Sequence, residues 1–294
     1  MVDEMLIRKK ALKVQERFGF KIGIPYGTVA IPTVRNREQA LTVLRELYRV
    51  GLRAFLIPKE FFSAIHTTTD LYKTVYGDII AIKEEAKKLN IELAIEYPDL
   101  PEMPDETLRL FCTIASIMDC RLFIIYPNFY RRMPLDQALK LTVHKINEIV
   151  GELKLKTKIG IEVTGRTDEL GDLEDVLEIV KRTHSTEPVI NWAHIHARGA
   201  GSLKRQEDFR KVFEQIKREI GPACLRDIYF LFSGISYSLK GEIEHIPYRK
   251  ADIRIEHLIR ECMSQSARGT LILEDPEREK FFLAILDQLA DMVR

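Results

Sequence analysis

The stretch that decides the fold is KIGIEVTGRTDELGDLEDVLEIVKRTHSTEPVINWAHIHAR, residues 158–198. It contains a buried β-branched run at Ile159–Thr164, an amphipathic segment at Leu173–Thr183 and a second apolar run at Val189–Ala193. A strand, a helix and a second strand in this order form a βαβ unit, and continuous apolar strands are typical of a parallel sheet that is covered on both faces.

The same alternation extends over the whole chain. It predicts eight strands: Phe20–Ile24, Ala54–Pro58, Ile91–Glu96, Leu122–Pro127, Ile159–Thr164, Val189–Ala193, Ile228–Ser233 and Thr270–Glu274. A predicted helix follows each strand: Arg37–Val50, Leu71–Leu89, Glu106–Met118, Leu135–Leu153, Leu173–Thr183, Arg205–Ile220, Ile253–Ala267 and Glu277–Met292. We therefore expect an α/β fold, a (β/α)8 TIM barrel, with a doubly wound open sheet as the alternative. Residues 1–294 form one domain in this prediction, and residues 1–18 form an N-terminal extension with a helix at about residues 5–17.

Composition excludes several classes of protein. The 294 residues carry 45 basic and 44 acidic side chains, a net charge of +1, so no general basic excess favours nucleic acid. No apolar run is long enough for a membrane span or a signal peptide, and the four cysteines form no CxxC pair. We expect a cytoplasmic protein that makes no membrane contact. The many Lys, Arg and Glu residues favour a thermophilic source.

Polar residues gather where predicted strands end. Glu162 ends the fifth strand, His194 and His196 follow the sixth, and Glu274 ends the eighth. Active sites of TIM barrels lie at this edge, and these ligand types suit Zn²⁺, Mn²⁺ or Fe²⁺. On an extended segment, side chains two residues apart share a face, so both histidines are predicted ligands. In the alternative interpretation, the carboxylates pair with Arg166 or Arg198 and the histidines bind the backbone.

The segment after the seventh strand, residues 233–247, is long for a connection in a compact domain. It is a candidate lid, with His245 as a further ligand and with Glu242 and Glu244 nearby. The alternative is a solvated, charged loop.

Several motifs together resemble one family. They are Glu162-Val-Thr-Gly-Arg, Trp-Ala-His194-Ile-His196-Ala-Arg198-Gly, Phe-Ser233-Gly-Ile, Lys240-Gly-Glu, His245-Ile-Pro and Leu-Glu274-Asp-Pro. The chain resembles the archaeal branch of the endonuclease IV family, which belongs to the xylose-isomerase-like TIM barrels. The resemblance implies DNA as the partner, up to three zinc ions and cleavage 5′ to abasic sites. Glu162, His194, His245 and Glu274 match ligand positions of that family.

The chain also departs from the family pattern. Asn191 stands where an aspartate is expected and Leu231 where a histidine is expected. Glu96-Tyr97-Pro98 replaces a histidine-containing motif after the third strand, and Tyr126-Pro127 replaces a histidine and proline after the fourth. Because each zinc ion needs about four ligands, we expect one or two ions, with zinc favoured over manganese or iron.

The resemblance assigns roles to these positions. Glu274, Glu162 and Glu96 are the candidate catalytic carboxylates, and Arg198, Lys240 and Asn191 are the candidate substrate-binding residues. A sugar isomerase or epimerase that uses Glu162 and Glu274 as an acid/base pair remains an alternative. A non-catalytic barrel that binds nucleic acid or protein is another, with Arg131, Arg132, Arg198, Lys204 and Arg205 as possible phosphate contacts.

Overall fold

The fold is a closed parallel barrel. A computed structural model describes residues 2–97, 104–130, 132–153 and 156–294. The barrel strands are β1 (Phe20–Pro25), β2 (Ala54–Ile57), β3 (Glu92–Tyr97), β4 (Leu122–Ile125), β5 (Lys158–Glu162), β6 (Thr186–Asn191), β7 (Ile228–Phe232) and β10 (Gly269–Leu273). They hydrogen-bond in the order β1-β10-β7-β6-β5-β4-β3-β2, and β1 closes onto β2. The predicted (β/α)8 barrel is confirmed, and the alternative of an open doubly wound sheet is wrong.

Helices surround the barrel. They are α1 (Val2–Phe18), α2 (Arg37–Val50), α3 (Thr68–Asp70), α4 (Tyr76–Leu89), α5 (Asp105–Ile117), α6 (Leu135–Glu152), α7 (Leu173–Arg182), α8 (Trp192–Arg198), α9 (Gln206–Ile220), α10 (Ile255–Ser264) and α11 (Glu279–Met292). A π-helical turn, Leu71–Val75, separates α3 from α4, so the single helix predicted over Leu71–Leu89 is interrupted. Short 3₁₀ segments occur at Lys59–Phe62, Pro222–Arg226 and Tyr248–Lys250.

Two elements differ from the sequence-based prediction. The sixth strand ends at Asn191, and the next seven residues form α8 instead of extending the strand to Ala193. The loop predicted after the seventh strand is an antiparallel hairpin of β8 (Gly234–Ser238) and β9 (Gly241–Ile246). These two elements follow neighbouring strands, and both lie at the carboxyl end of the barrel.

The core has two layers. An inner cluster fills the barrel with small and branched side chains from six of its strands, among them Ala94, Leu122, Val189, Leu231 and Ile272. An outer cluster lies between the strands and the helices. Because side chains of a strand alternate between its faces, the inward positions beyond this apolar plug fall at the carboxyl ends of the strands. The inward residues there are polar, and they form the candidate site.

The N-terminal extension is a helix that packs on the barrel. Gln15 of α1 is 3% exposed, donates to Gly51 O at 2.7 Å and accepts from Ile22 N at 2.7 Å. These bonds join α1 to β1 and to the end of α2. Within the described ranges, no helix is both long and apolar enough to cross a membrane. The four cysteines are free thiols.

Candidate metal site and carboxyl cluster

Three carboxyl groups meet at the mouth of the barrel. Glu96 is the next-to-last residue of β3, Glu162 ends β5 and Glu274 follows β10, and their exposures are 1%, 0% and 6%. We call these three residues the carboxyl cluster. Ala94 and Ile272 of the apolar plug lie two residues before Glu96 and Glu274, and Gly160, which faces the plug, lies two residues before Glu162. Alternation along the strands therefore directs all three carboxyl groups to the inner face of the barrel.

Asn191 joins two members of the cluster. Its Nδ2 donates to Glu162 Oε1 and to Glu274 Oε2, both at 3.0 Å. Its Oδ1 accepts from the backbone N–H of His194 at 3.2 Å and so caps the first turn of α8. The amide therefore has a fixed orientation, because a flipped group would set oxygen against carboxylate and N–H against N–H.

Burial favours the protonated forms of the cluster. Burial, and then the charge of Glu274, raises the pKa of Glu96 to about 8. Burial, and then the charge of Glu242, raises the pKa of Glu274 to about 8, and burial also raises the pKa of Glu162. Within the described part of the chain, Glu96 Oε2 and Glu162 Oε2 are buried and lack a hydrogen-bond partner. Buried acceptors without partners are costly unless a proton, water or ligand meets them.

His194 projects from α8 beside the cluster. It is 1% exposed, and its Nδ1 lies 2.7 Å from Val163 O. A carbonyl can only accept, so Nδ1 carries the proton and Nε2 presents a lone pair. Burial, and then the neighbouring His245, lowers the pKa of His194 to about 3, so the ring is neutral at pH 7.

The β8–β9 hairpin brings two more donors to His194. His245 Nε2 lies 3.4 Å from His194 Nε2, and Glu242 carboxylate oxygens lie 3.3 Å and 3.5 Å from the two Nε2 atoms. His245 Nδ1 lies 3.2 Å from Ser233 Oγ, which itself donates to Gly234 O at 3.0 Å. The hydroxyl therefore accepts from His245, and the lone pair of Nε2 faces that of His194. We call His194, Glu242 and His245 the rim site.

The rim site fits a divalent ion. Ligands about 2.0–2.1 Å from one tetrahedral zinc ion lie about 3.3–3.4 Å from each other, close to the distances found here. Two facing nitrogen lone pairs and a carboxylate repel one another unless a cation or a proton lies between them. The outward hydrogen bonds to Val163 O and Ser233 Oγ orient the rings, as the outer partners of metal-binding histidines do. All three donor groups lie within 4.8 Å of one another.

The loop after β5 holds the hairpin in place. Glu242 N donates to Gly165 O at 2.9 Å, and Thr167 N donates to Lys240 O at 3.2 Å. A Cβ atom at Gly165 would lie 2.1 Å from Glu242 Oε2 and 2.6 Å from Glu242 Cβ. Only glycine at position 165 leaves room for the carboxylate in this position.

His196 lies away from the rim site. The prediction that His194 and His196 share a face is wrong, because the segment is helical and residues two apart diverge by about 200°. His196 Nδ1 accepts from Leu203 N at 3.0 Å, and its Nε2 lies 2.9 Å from Asp252 Oδ1. Asp252 Oδ2 also accepts from Tyr237 Oη of β8 at 2.7 Å. His196 therefore helps to fasten the hairpin through Asp252.

The predicted substrate-binding residues have different surroundings. Arg198 is directed to the loop after β5, where its guanidinium donates to Thr164 Oγ1 at 3.0 Å and to Glu169 O at 3.2 Å, so it supports that loop. Lys240 is exposed at the hairpin tip, and Asn191 is fully buried. Pro98 and Arg131 lie outside the described residues.

Sequence reasoning did not assign Glu242 a ligand role or give Gly165, Tyr237 and Asp252 any role. The alternation in Gly-Ile-Ser-Tyr-Ser, followed by a turn and by Gly-Glu-Ile-Glu-His, was a signal for a hairpin. Asn191, three residues before His194, was a signal for a helix N-cap.

Comparison with known proteins supports the fold. No protein-family model matches the chain. An uncharacterized protein of Methanocaldococcus jannaschii is 25% identical over 268 residues, which cover 88% of this chain and 94% of that protein. A D-tagatose 3-epimerase-like protein superposes with a TM-score of 0.64 at 16% identity, covering 93% of this chain and 98% of that structure. Endonuclease IV from Thermus thermophilus superposes with a TM-score of 0.63 at 15% identity, covering 92% of this chain and 99% of that structure.

The structural similarities concern the fold of the chain. The identities to solved structures are low, so these similarities establish the architecture alone. Sugar epimerases and endonuclease IV both occur among the structural neighbours. The chain has the fold of the xylose-isomerase-like TIM barrels, which include endonuclease IV.

Proposed function

We propose that the protein is a divalent-metal-dependent phosphodiesterase that acts on abasic DNA. The observation that carries the proposal is the rim site, in which two histidines and a carboxyl group converge at distances that suit one tetrahedral ion. The assignment to DNA rests on the resemblance to endonuclease IV in the motifs of residues 162–276.

The parts of the site have distinct roles in this proposal. His194, Glu242 and His245 would hold the ion, which supplies Lewis-acid stabilisation of charge on a phosphoryl oxygen. In this proposal Glu274 orients the attacking water, because at 6% exposure it is the least buried member of the carboxyl cluster. Lys240 contacts the DNA backbone from the exposed hairpin tip, as a mobile point charge.

The test is cleavage of a duplex that contains one abasic site. Chelator-treated protein is supplied with Zn²⁺ or Mn²⁺, and the products are separated on a denaturing gel. We expect cleavage 5′ to the abasic site by the wild type and strong loss in His245→Ala and Glu242→Ala. His144→Ala is the matched control, because the His144 side chain is 78% exposed on α6. Absence of cleavage with every divalent ion, or full activity of His245→Ala, would refute the proposal.

A second candidate is a sugar isomerase or epimerase. The specific observation in its favour is that Glu162 at the end of β5 and Glu274 after β10 both accept a hydrogen bond from the Asn191 amide. Two carboxyl groups held this close to one another from separate strands could act as an acid/base pair that exchanges a substrate proton. Solvent deuterium incorporation into a panel of ketoses would identify this activity. Incorporation that Glu162→Gln and Glu274→Gln abolish would favour it over phosphodiester hydrolysis.

The non-catalytic alternative makes a third set of expectations. The carboxyl cluster is almost fully buried, as a site without a substrate would be. This alternative predicts neither cleavage nor proton exchange, and nucleic-acid binding that falls with salt and does not respond to chelator.

A further inference from the structure

In the described part of the chain, an amide lies between two carboxyl groups at the centre of the barrel mouth. The resemblance to endonuclease IV implies metal ligands at the ends of the fifth to eighth strands, among others, and Glu162 and Glu274 occupy two of these four positions. Asn191 occupies the third, and its amide nitrogen lies 3.0 Å from an oxygen of each glutamate. An ion bound by the same two oxygens would need the space and the lone pairs that the amide hydrogens now use.

The fourth position also lacks a ligand. Leu231 pairs in register with Asn191 on the neighbouring strand, is fully buried and belongs to the apolar plug of the barrel. A leucine side chain has no donor atom for a metal. The centre therefore offers the three carboxyl groups of the cluster beside a hydrocarbon surface, and the Asn191 amide already lies between two of them. A divalent ion shared by Glu162 Oε1 and Glu274 Oε2 does not fit while the amide holds this position.

The amide is well suited to take the place of an ion. Its Oδ1 is held by the N-cap bond to His194 N, so both hydrogens of Nδ2 point to the carboxyl groups. We propose that Asn191 replaces the central metal ion in this protein, so that divalent ions bind at the rim site only. A single Asn191→Asp substitution would then create a second ion site, because Asp keeps the N-cap acceptor and exchanges two donors for a ligand oxygen.

Ion stoichiometry tests this inference. The statement about the rim rests on the proposed function, whereas the statement about the centre does not. Full-length variants are stripped with chelator, titrated with Mn²⁺ or Zn²⁺ and analysed for bound metal. We expect one ion per chain in the wild type, none in the Glu242→Ala/His245→Ala double variant and two in Asn191→Asp. Asn191→Asp added to the double variant should restore one.

Each arm can overturn the inference. One ion retained by the Glu242→Ala/His245→Ala variant would show that the wild-type centre binds metal. Equal stoichiometry in Asn191→Asp and the wild type would show that the amide does not decide occupancy. If Asn191→Asp does not fold, Glu274→Gln provides the test instead. This variant should bind as many ions as the wild type, because the centre binds none, and the loss of an ion would refute the inference. If the wild type binds no ion at all, the proposed function fails, and the gain of one ion by Asn191→Asp still decides the inference about the centre.

Discussion

Gly165→Ala tests the rim site through a residue that touches no ion. The added Cβ would lie 2.1 Å from Glu242 Oε2 and 2.6 Å from Glu242 Cβ. Ordinary contact between such atoms needs about 3.4 Å or more, so the whole Glu242 side chain must move by about 1 Å. The backbone at Gly165 has no positive φ, so the added Cβ causes no conformational strain in the backbone of that residue.

The expected magnitude follows from this displacement. Glu242 is one of three protein groups at the rim site, and changes to residues that orient a ligand typically weaken metal binding by about 10- to 100-fold. Overpacking of the loop costs about 1–3 kcal/mol of unfolding free energy. The variant should therefore fold, melt somewhat lower than the wild type and bind zinc about 10- to 100-fold more weakly.

Competition with a chromophoric chelator measures the zinc affinity of each variant. Gly151→Ala is the matched control, because a Cβ at Gly151 meets nothing within 4 Å, and it should bind zinc as the wild type does. In a Glu242→Ala background, Gly165→Ala should have no further effect, because the clashing side chain is gone. Wild-type affinity in Gly165→Ala would refute the assignment of Glu242 as a ligand.

Three further predictions concern the surroundings of the site. In the presence of chelator, Glu96→Gln should be more stable than the wild type near pH 8. The pKa of Glu96 is about 8 in the folded protein and about 4.3 in the unfolded chain, so the unfolding free energy of the wild type falls by up to about 1.4 kcal/mol per pH unit as the pH rises from 4.3 to 8. Urea denaturation from pH 5 to pH 8 measures the difference, and parallel pH profiles would contradict it. Asp252→Asn should lower the unfolding free energy by about 1–3 kcal/mol, because the new amide NH2 group would face the N–H of His196 or the hydroxyl of Tyr237, which both donate to Asp252 in the wild type. Tyr237→Phe should lower it by less. Thermal melts rank the two variants, and the reverse order would count against this network. Arg198→Met should lower stability by about 1–3 kcal/mol, because it removes the guanidinium that donates to Thr164 Oγ1 and to Glu169 O. It should not change the salt dependence of DNA binding, and a smaller salt slope would instead assign Arg198 to a phosphate contact.

The barrel could be predicted because its physical signals are local. Strands buried on both faces must be continuously apolar, and helices that cover them must be amphipathic, so both patterns can be recognised in short stretches of the sequence. The polar strand ends at Glu96, Glu162 and Glu274 were visible for the same reason. Their convergence followed from the closure of parallel strands into a barrel.

The rim site could not be predicted in detail because it depends on contacts between distant segments. The seven residues of α8 are too few to show a helical period, so His196 was expected beside His194. The role of Glu242 depends on which register the hairpin adopts and on the loop at Gly165. Neither can be read from the residues next to Glu242 in the sequence.

The hairpin has a consequence for how the protein assembles. One donor of the rim site belongs to α8 and the other two to β9, and His194 and His245 are 51 residues apart in the chain. An ion bound there would act as a cross-link that closes a long loop, and closing such a loop lowers the conformational entropy of the unfolded chain. The hairpin is otherwise held by a few backbone hydrogen bonds, by the Asp252 carboxylate and by a small apolar cluster of Ile235 with Ala193 and Ala197 of α8. Amide hydrogens of β8 and β9 should therefore exchange through a local opening that bound metal suppresses, while the barrel strands exchange only on global unfolding.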